Sequence, residues 1–166
     1  MDPCYELFQG QRYRRKVRAV VIDTDQRALL IQPHGYKADT WTLVGGGVEA
    51  GETDAQAMRR ELAEEAGLHE ILVLQLAAHR HRFLFSDKAR QQRNLDHDGQ
   101  SAAIFLARVQ AGVPVVLQAA EVKASCWVPL SEADVLLKVD AQRQLFRLVL
   151  AEFKSCNGET HGTEPA

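Results

Sequence analysis

Three glutamates, Glu61, Glu64 and Glu65, stand close together a short distance after three consecutive glycines, Gly45, Gly46 and Gly47. On a helix of about 3.6 residues per turn the three carboxylates fall within an arc of roughly 100°. That arc lies beside a narrow apolar face made by Ala55, Met58, Leu62 and Ala66, so Glu61 and Glu65 are expected at the edge of the packed body. Like charges at i, i+4 destabilise a helix by about 0.2–0.5 kcal/mol, and a nearby cation would remove that penalty. Hard divalent cations such as Mg²⁺ favour carboxylate and carbonyl oxygens and retain waters beside a phosphate. The glycines would let backbone groups approach a metal or phosphate unobstructed. Arg60 can pair with a carboxylate and hold it. The competing reading is a solvated, Glu-rich helix face, which is common in soluble proteins.

The elements that would position these residues can be read around them. Thr53 followed three residues later by Gln56 resembles a capping box, and Gly67 stands where the helix should end. Before them, KVRAVVI (16–22) and RALLI (27–31) read as a hairpin about DTDQ (23–26). QPHGYKADT (32–40) reads as loop, and WTLV (41–44) as a short apolar piece running into the glycines. Downstream, 69–85 is extended, 86–100 is a long polar loop, and 101–110 and 122–130 are strands. Ser131 is expected to cap a short helix over EADVLL, and an amphipathic helix to cover 140–153. Strands around one mid-chain helix, with helices at the end, imply an α/β sandwich on a mixed sheet.

The chain has 166 residues, 46% hydrophobic and 25% charged, consistent with one domain of residues 1–154 and a disordered tail, 155–166. No run of about 18 apolar residues suggests a membrane span, and the N-terminal segment lacks a signal-peptide core. The formal net charge of −2 gives no reason to expect a nucleic-acid partner. Cys4, Cys126 and Cys156 are scattered, without disulfide or zinc spacing. A cytoplasmic location is expected, with Cys126 a small buried hydrophobe.

Taken together, Gly46, Glu52, Arg60, Glu61, Leu62, Glu64, Glu65, Gly67 and Leu68 match the pattern G-x5-E-x7-R-E-U-x-E-E-x-G-U, where U is bulky and aliphatic. Seven fixed positions, at residue frequencies of roughly 5–7% each, coincide on the order of once in a billion windows. The chain therefore resembles the Nudix hydrolase (MutT-like) superfamily. That resemblance implies the Nudix fold, an α/β/α sandwich around a mixed β-sheet. It also implies Mg²⁺- or Mn²⁺-dependent cleavage of a nucleoside diphosphate linked to another group. By motif position, Glu61, Glu64 and Glu65 would be metal ligands, with Glu61 or Glu65 also positioning water. Gly45 would offer its carbonyl, Arg60 would orient a carboxylate, and Gly46, Glu52 and Gly67 would shape the loop–helix structure. Many MutT-like members add a carboxylate from a later loop before a strand ending in tryptophan; Glu121, six residues before Trp127, is the candidate.

The resemblance leaves the substrate open. Neither Pro nor Tyr occurs between Leu68 and Val113, where some subfamilies carry marker residues, and Val44 replaces a proline frequent before the motif. Arg14, Lys16 and Arg18 should share one strand face. Arg80 and Arg82 should share another with Leu84, opposite His79, His81, Phe83 and Phe85. Arg18, Arg80, Arg82 and Trp41 are candidate substrate contacts, with Tyr36 a second ring able to stack on a base. The alternative for the arginines is edge-strand charge, and for Trp41 a place in the core. The 86–100 segment is long enough for a lid, and Asp96, His97 and Asp98 near its tip could bind a separate metal or form an ordinary turn.

The expected activity is pyrophosphohydrolysis of a nucleoside triphosphate or related nucleotide, releasing a monophosphate and pyrophosphate. Dinucleoside-polyphosphate, nucleotide-sugar or capped-RNA hydrolysis is the alternative. A non-catalytic nucleotide sensor would be expected to have lost carboxylates that this chain keeps. The expected partner is a small nucleotide, with no membrane; a homodimer is open.

Overall fold

The computed structural model describes residues 2–156. Its elements in order are β1 (Tyr5–Phe8), β2 (Gln11–Asp23), β3 (Arg27–Pro33), β4 (Val44–Gly47), α1 (Asp54–Ala66), β5 (Val73–Leu84), α2 (Asp87–Arg93), β6 (Gly99–Val109), β7 (Val122–Pro129), α3 (Leu130–Leu136) and α4 (Asp140–Cys156). One mixed sheet runs β5-β6-β2-β3-β7, with β1 and β4 also paired to β2. β2 and β6 are parallel, from Tyr13 opposite Gly99 to Asp23 opposite Val109. The other named pairings are antiparallel.

Alternation along β2 explains the three layers. Val17, Ala19 and Val21 face a core shared with Met58, Leu62 and Ala66 of α1, while Val20 and Ile22 face a second core. In that second core Leu145, Phe146, Val149 and Phe153 form the apolar stripe of α4, and Ala133 and Leu137 add the α3 side. Helices thus cover both faces, as the α/β/α expectation requires. Met58 and Leu62 are fully buried; at about 1.5–3 kcal/mol for each such side chain, they hold α1 against the sheet.

The ends of α1 follow the sequence closely. Thr53 and Gln56 make both hydrogen bonds of the capping box, and Gly67 closes the helix in the left-handed region at φ 65°.

Several local expectations are corrected. Gly45, Gly46 and Gly47 lie in β4, paired with β2, and not in a loop. The 86–100 segment contains α2, capped by Ser86 and ended by Asn94 in the left-handed region. It buries no side chain, so no apolar periodicity marked it. α3 begins at Leu130 after Pro129, with no side-chain cap, so Ser131 lies inside the helix. β1 was hidden in a segment of mixed character. Cys126 is only half-buried, packed against the second core. α4 runs on to Cys156, so the first two residues of the tail expected over 155–166 are helical; residues 157–166 lie outside the described residues. No helix among the described residues is long and apolar enough to cross a membrane.

Candidate active site

β4 turns part of its backbone toward α1. Hydrogen-bonded pairs alternate with unbonded ones in an antiparallel ladder. The Val48 N–H donates to the Arg15 carbonyl at 3.1 Å, so Gly46 opposite Val17 is the next bonded pair. Gly45 and Gly47, opposite Arg18 and Lys16, therefore aim their N–H and C=O groups away from β2. The Gly45 N–H donates to Glu65 Oε2 at 3.0 Å, and the Gly47 carbonyl accepts from Arg60 Nη2 at 2.7 Å. A Cβ would require a shift here: at Gly46 it would fall within the Glu61 carboxylate, the far end of a side chain, and at Gly45 against the Val17 carbonyl, which is backbone.

Arg60 organises the carboxylates. Its guanidinium donates to both oxygens of Glu52, at 2.7 and 3.1 Å, and through Nη1 to Glu61 at 3.0 Å and Glu64 at 3.1 Å. Those bonds to Arg60 hold the Glu52 carboxyl below the ordinary range. Glu61 and Glu65 differ, each only 7% exposed. Burial pushes Glu61 up, against the opposing pull of Arg60, and the Glu64 and Glu121 charges push it further. Burial pushes Glu65 up to about 7, although the Gly45 N–H favours its charged form; Glu61 and Glu121 add to the rise. Glu121 precedes β7 where the His34 N–H donates to its carbonyl at 2.8 Å, close enough for its charge to act on both buried carboxyls.

Among the described residues, no three carboxylate, imidazole or thiol side chains are gathered tightly enough to hold a metal unaided. Arg60 holds Glu61 and Glu64, while Glu65 turns to Gly45. The donor set nevertheless suits a hard divalent cation: the ligands are oxygens, and two are buried with their charged forms disfavoured. Glu61, Glu64, Glu65 and the outward-turned Gly45 carbonyl are the groups that would hold it.

Across the cleft lie two cations. Lys16 and Arg18 stand in register with Ala102 and Ile104 on the α4 side of the sheet. Burial and the neighbouring Arg18 and Arg14 lower Lys16, while Glu61 and Glu65 oppose the shift. Two cavities meet at these residues. One, of about 180 Å³, reaches Gly45, Gly46 and Glu65. The other, of about 170 Å³, is bounded by His81, Phe83, Gln100 and Gln142. Both include Lys16, Arg18 and Tyr36, and together they reach the lower end of the small-ligand range of about 300–1,000 Å³.

Other candidates are held elsewhere. Arg80 bonds Ser101 and Asp54, Arg82 bonds Glu6, and Arg80 lies 3.5 Å from Glu6. These arginines face the α1 side, away from the cleft, joined by a glutamate from the unforeseen β1. Trp41 packs against the second core and lines neither cavity. Arg14 is spent on the carbonyls of Cys4, Arg15 and Val48. Asp98 accepts from the Arg12 N–H and pairs with Arg90, while Asp96 meets His97. Gln142 was missed; its signal is a polar residue one turn before Leu145 on the buried stripe of α4.

A site that sets buried carboxylates against a lysine and an arginine is suited to hydrolysis of a polyanion, whose negative charge must be held beside the enzyme's own. The NUDIX domain family model matches residues 12–149, and the chain belongs to that family. It is a Nudix pyrophosphohydrolase, acting on phosphoric anhydride bonds. It is 34% identical over 155 residues to the RNA pyrophosphohydrolase of Helicobacter pylori strain P12, covering 87% of this chain and 95% of that one. The strain G27 counterpart is 29% identical over 153 residues, with the same coverage. The fold resembles E. coli dihydroneopterin triphosphate pyrophosphohydrolase, with TM-score 0.68, 24% identity and coverage of 80% and 92%. It also resembles a C. elegans Ap4A hydrolase binary complex, with TM-score 0.64, 21% identity and coverage of 85% and 98%.

Proposed function

We propose that this chain hydrolyses small nucleoside 5′-triphosphates to the monophosphate and pyrophosphate, with Mg²⁺ or Mn²⁺ held by Glu61, Glu64, Glu65 and the Gly45 carbonyl. The observation that carries the reading is the continuity of the cleft, from Glu65 of α1 past Lys16 and Arg18 into a pocket with room for a base. A bound divalent cation would supply charge neutralisation and a more acidic water. Lys16 and Arg18 would bind phosphate oxygens, Arg60 would keep Glu52, Glu61 and Glu64 in order, and Glu61 or Glu65 would orient the attacking water. Glu121 is proposed as a further carboxylate, supported by its charge acting on Glu61 and Glu65. In the reaction, a water oxygen bonds to phosphorus as an anhydride P–O bond breaks. Pyrophosphate leaves, and the water's proton passes to solvent through a carboxylate.

A 5′-triphosphorylated RNA end presents the same anhydride. The similarity to RNA pyrophosphohydrolases favours it as a second reading. Steady-state kinetics on nucleoside triphosphates, a triphosphorylated oligoribonucleotide, dinucleoside polyphosphates and nucleotide sugars tests the choice. The small-nucleotide reading requires kcat/KM to be highest for a mononucleotide; a clear advantage for the oligoribonucleotide would transfer the assignment to RNA.

A further inference from the structure

The far cavity contains an amide whose orientation is fixed. Gln142 is 7% exposed, and its Oε1 accepts the Leu43 N–H at 2.8 Å. Because a backbone N–H can only donate, it selects the amide oxygen and leaves the NH₂ on the other side. Among the described residues no partner for that NH₂ is found, and Gln142 lines the cavity with Tyr36, His81, Phe83 and Gln100. That NH₂ is not sealed from solvent, so it meets water in the free chain, and a ligand that supplies an acceptor there replaces that bond. The rings of Tyr36 and Phe83, which also line the cavity, offer flat apolar surface for a base.

We propose that Gln142 is the base-reading residue of this site, donating through its amide NH₂ to an exocyclic oxygen of the nucleobase and so selecting oxo bases over amino bases. The proposal rests on the nucleotide reading above. Leu43 adjoins Val44, the first residue of β4, so one amide links the base pocket to the strand that faces the α1 carboxylates. Among the described residues Gln100 has no such anchor, and it can present either end of its amide. An amino group opposite the Gln142 NH₂ would set donor against donor, a mismatch of the kind that discriminates strongly in a buried site.

The test compares ITP with ATP, which carry oxygen and an amino group at the same ring position, on the full chain with Mg²⁺. Wild type should favour ITP in kcat/KM by roughly 10-fold or more, chiefly through KM. Gln142→Glu keeps an acceptor for Leu43 but presents an acceptor to the base, and should lower or reverse that ratio. Gln142→Leu should bring it near one. Thermal shifts with IMP and AMP read the same preference without turnover and also show whether each variant is folded. Equal use of ITP and ATP by wild type, or an ITP preference unchanged in folded variants, would overturn the assignment. If no triphosphate is hydrolysed while IMP still binds better than AMP through Gln142, the base assignment stands and the triphosphate reading falls.

Discussion

Glu65 of α1 accepts a hydrogen bond from the Gly45 N–H of β4 at 3.0 Å, so the helix that carries the carboxylates is tied directly to the glycine strand. The bond forms because Gly45 occupies an unbonded position of the β2–β4 ladder and turns its polar groups toward α1. Strand register thus controls where the carboxylates meet the backbone, and several consequences can be measured.

Gly46→Ala tests that closeness. The added Cβ would fall on the Glu61 carboxylate, where overpacking costs about 1–3 kcal/mol. Urea unfolding should show a lower midpoint, and activity should fall beyond the loss of folded protein. Wild-type stability and turnover would show that Glu61 can move aside freely.

Glu64→Gln and Glu65→Gln should each lower kcat by roughly 100-fold or more while the circular dichroism spectrum is retained. Glu64 is half exposed and its oxygen is held by Arg60, so the loss cannot be attributed to a collapsed core. Near-wild-type turnover in both variants would remove α1 from the chemistry.

The pH dependence of stability without added metal follows from Glu65. Its carboxyl sits at about 7 in the folded chain against an ordinary 4.5, so between those values the folded state binds more protons than the unfolded one. Stability therefore falls as pH rises through this window, by up to about 3 kcal/mol from this group, and Glu61 acts in the same direction. In EDTA, the urea midpoint should be higher at pH 5.5 than at pH 8, and Glu65→Gln should flatten the difference. Added Mg²⁺ should stabilise more at pH 8 than at pH 5.5.

The two pairs of basic residues should separate cleanly. Lys16→Met and Arg18→Met should raise KM by roughly 10-fold or more, equivalent to about 1.4 kcal/mol. Arg80→Met leaves Asp54 and Glu6 with fewer partners on the opposite face, so it should lower the urea midpoint with little change in KM. Steady-state kinetics beside urea unfolding of the same variants distinguishes the two effects.

These contrasts mark what the sequence could carry. The carboxylate helix was legible to its caps, because Thr53, Gln56 and Gly67 encode local hydrogen bonds and one left-handed residue. The pairing of the glycines with β2 was not, since strand partners depend on contacts remote in sequence. The alternation of Arg80 and Arg82 against His81 and Phe83 was readable, but which face met the cleft was not. That required knowing that β1 brings Glu6, and α1 brings Asp54, to the arginine side. Gln142 escaped notice because its meaning lies in a bond to Leu43, on a strand entry far back in the chain.

Product analysis with ITP and Mg²⁺, using purified protein and separate quantification of IMP, pyrophosphate and orthophosphate, tests most directly whether the α1 carboxylates drive pyrophosphate release from a nucleoside triphosphate. IMP and pyrophosphate should form in equal amounts, with their formation abolished by EDTA and reduced by roughly 100-fold or more in Glu64→Gln. Orthophosphate as the primary product, or hydrolysis unaffected by EDTA and by Glu64→Gln, would contradict that role of the carboxylates.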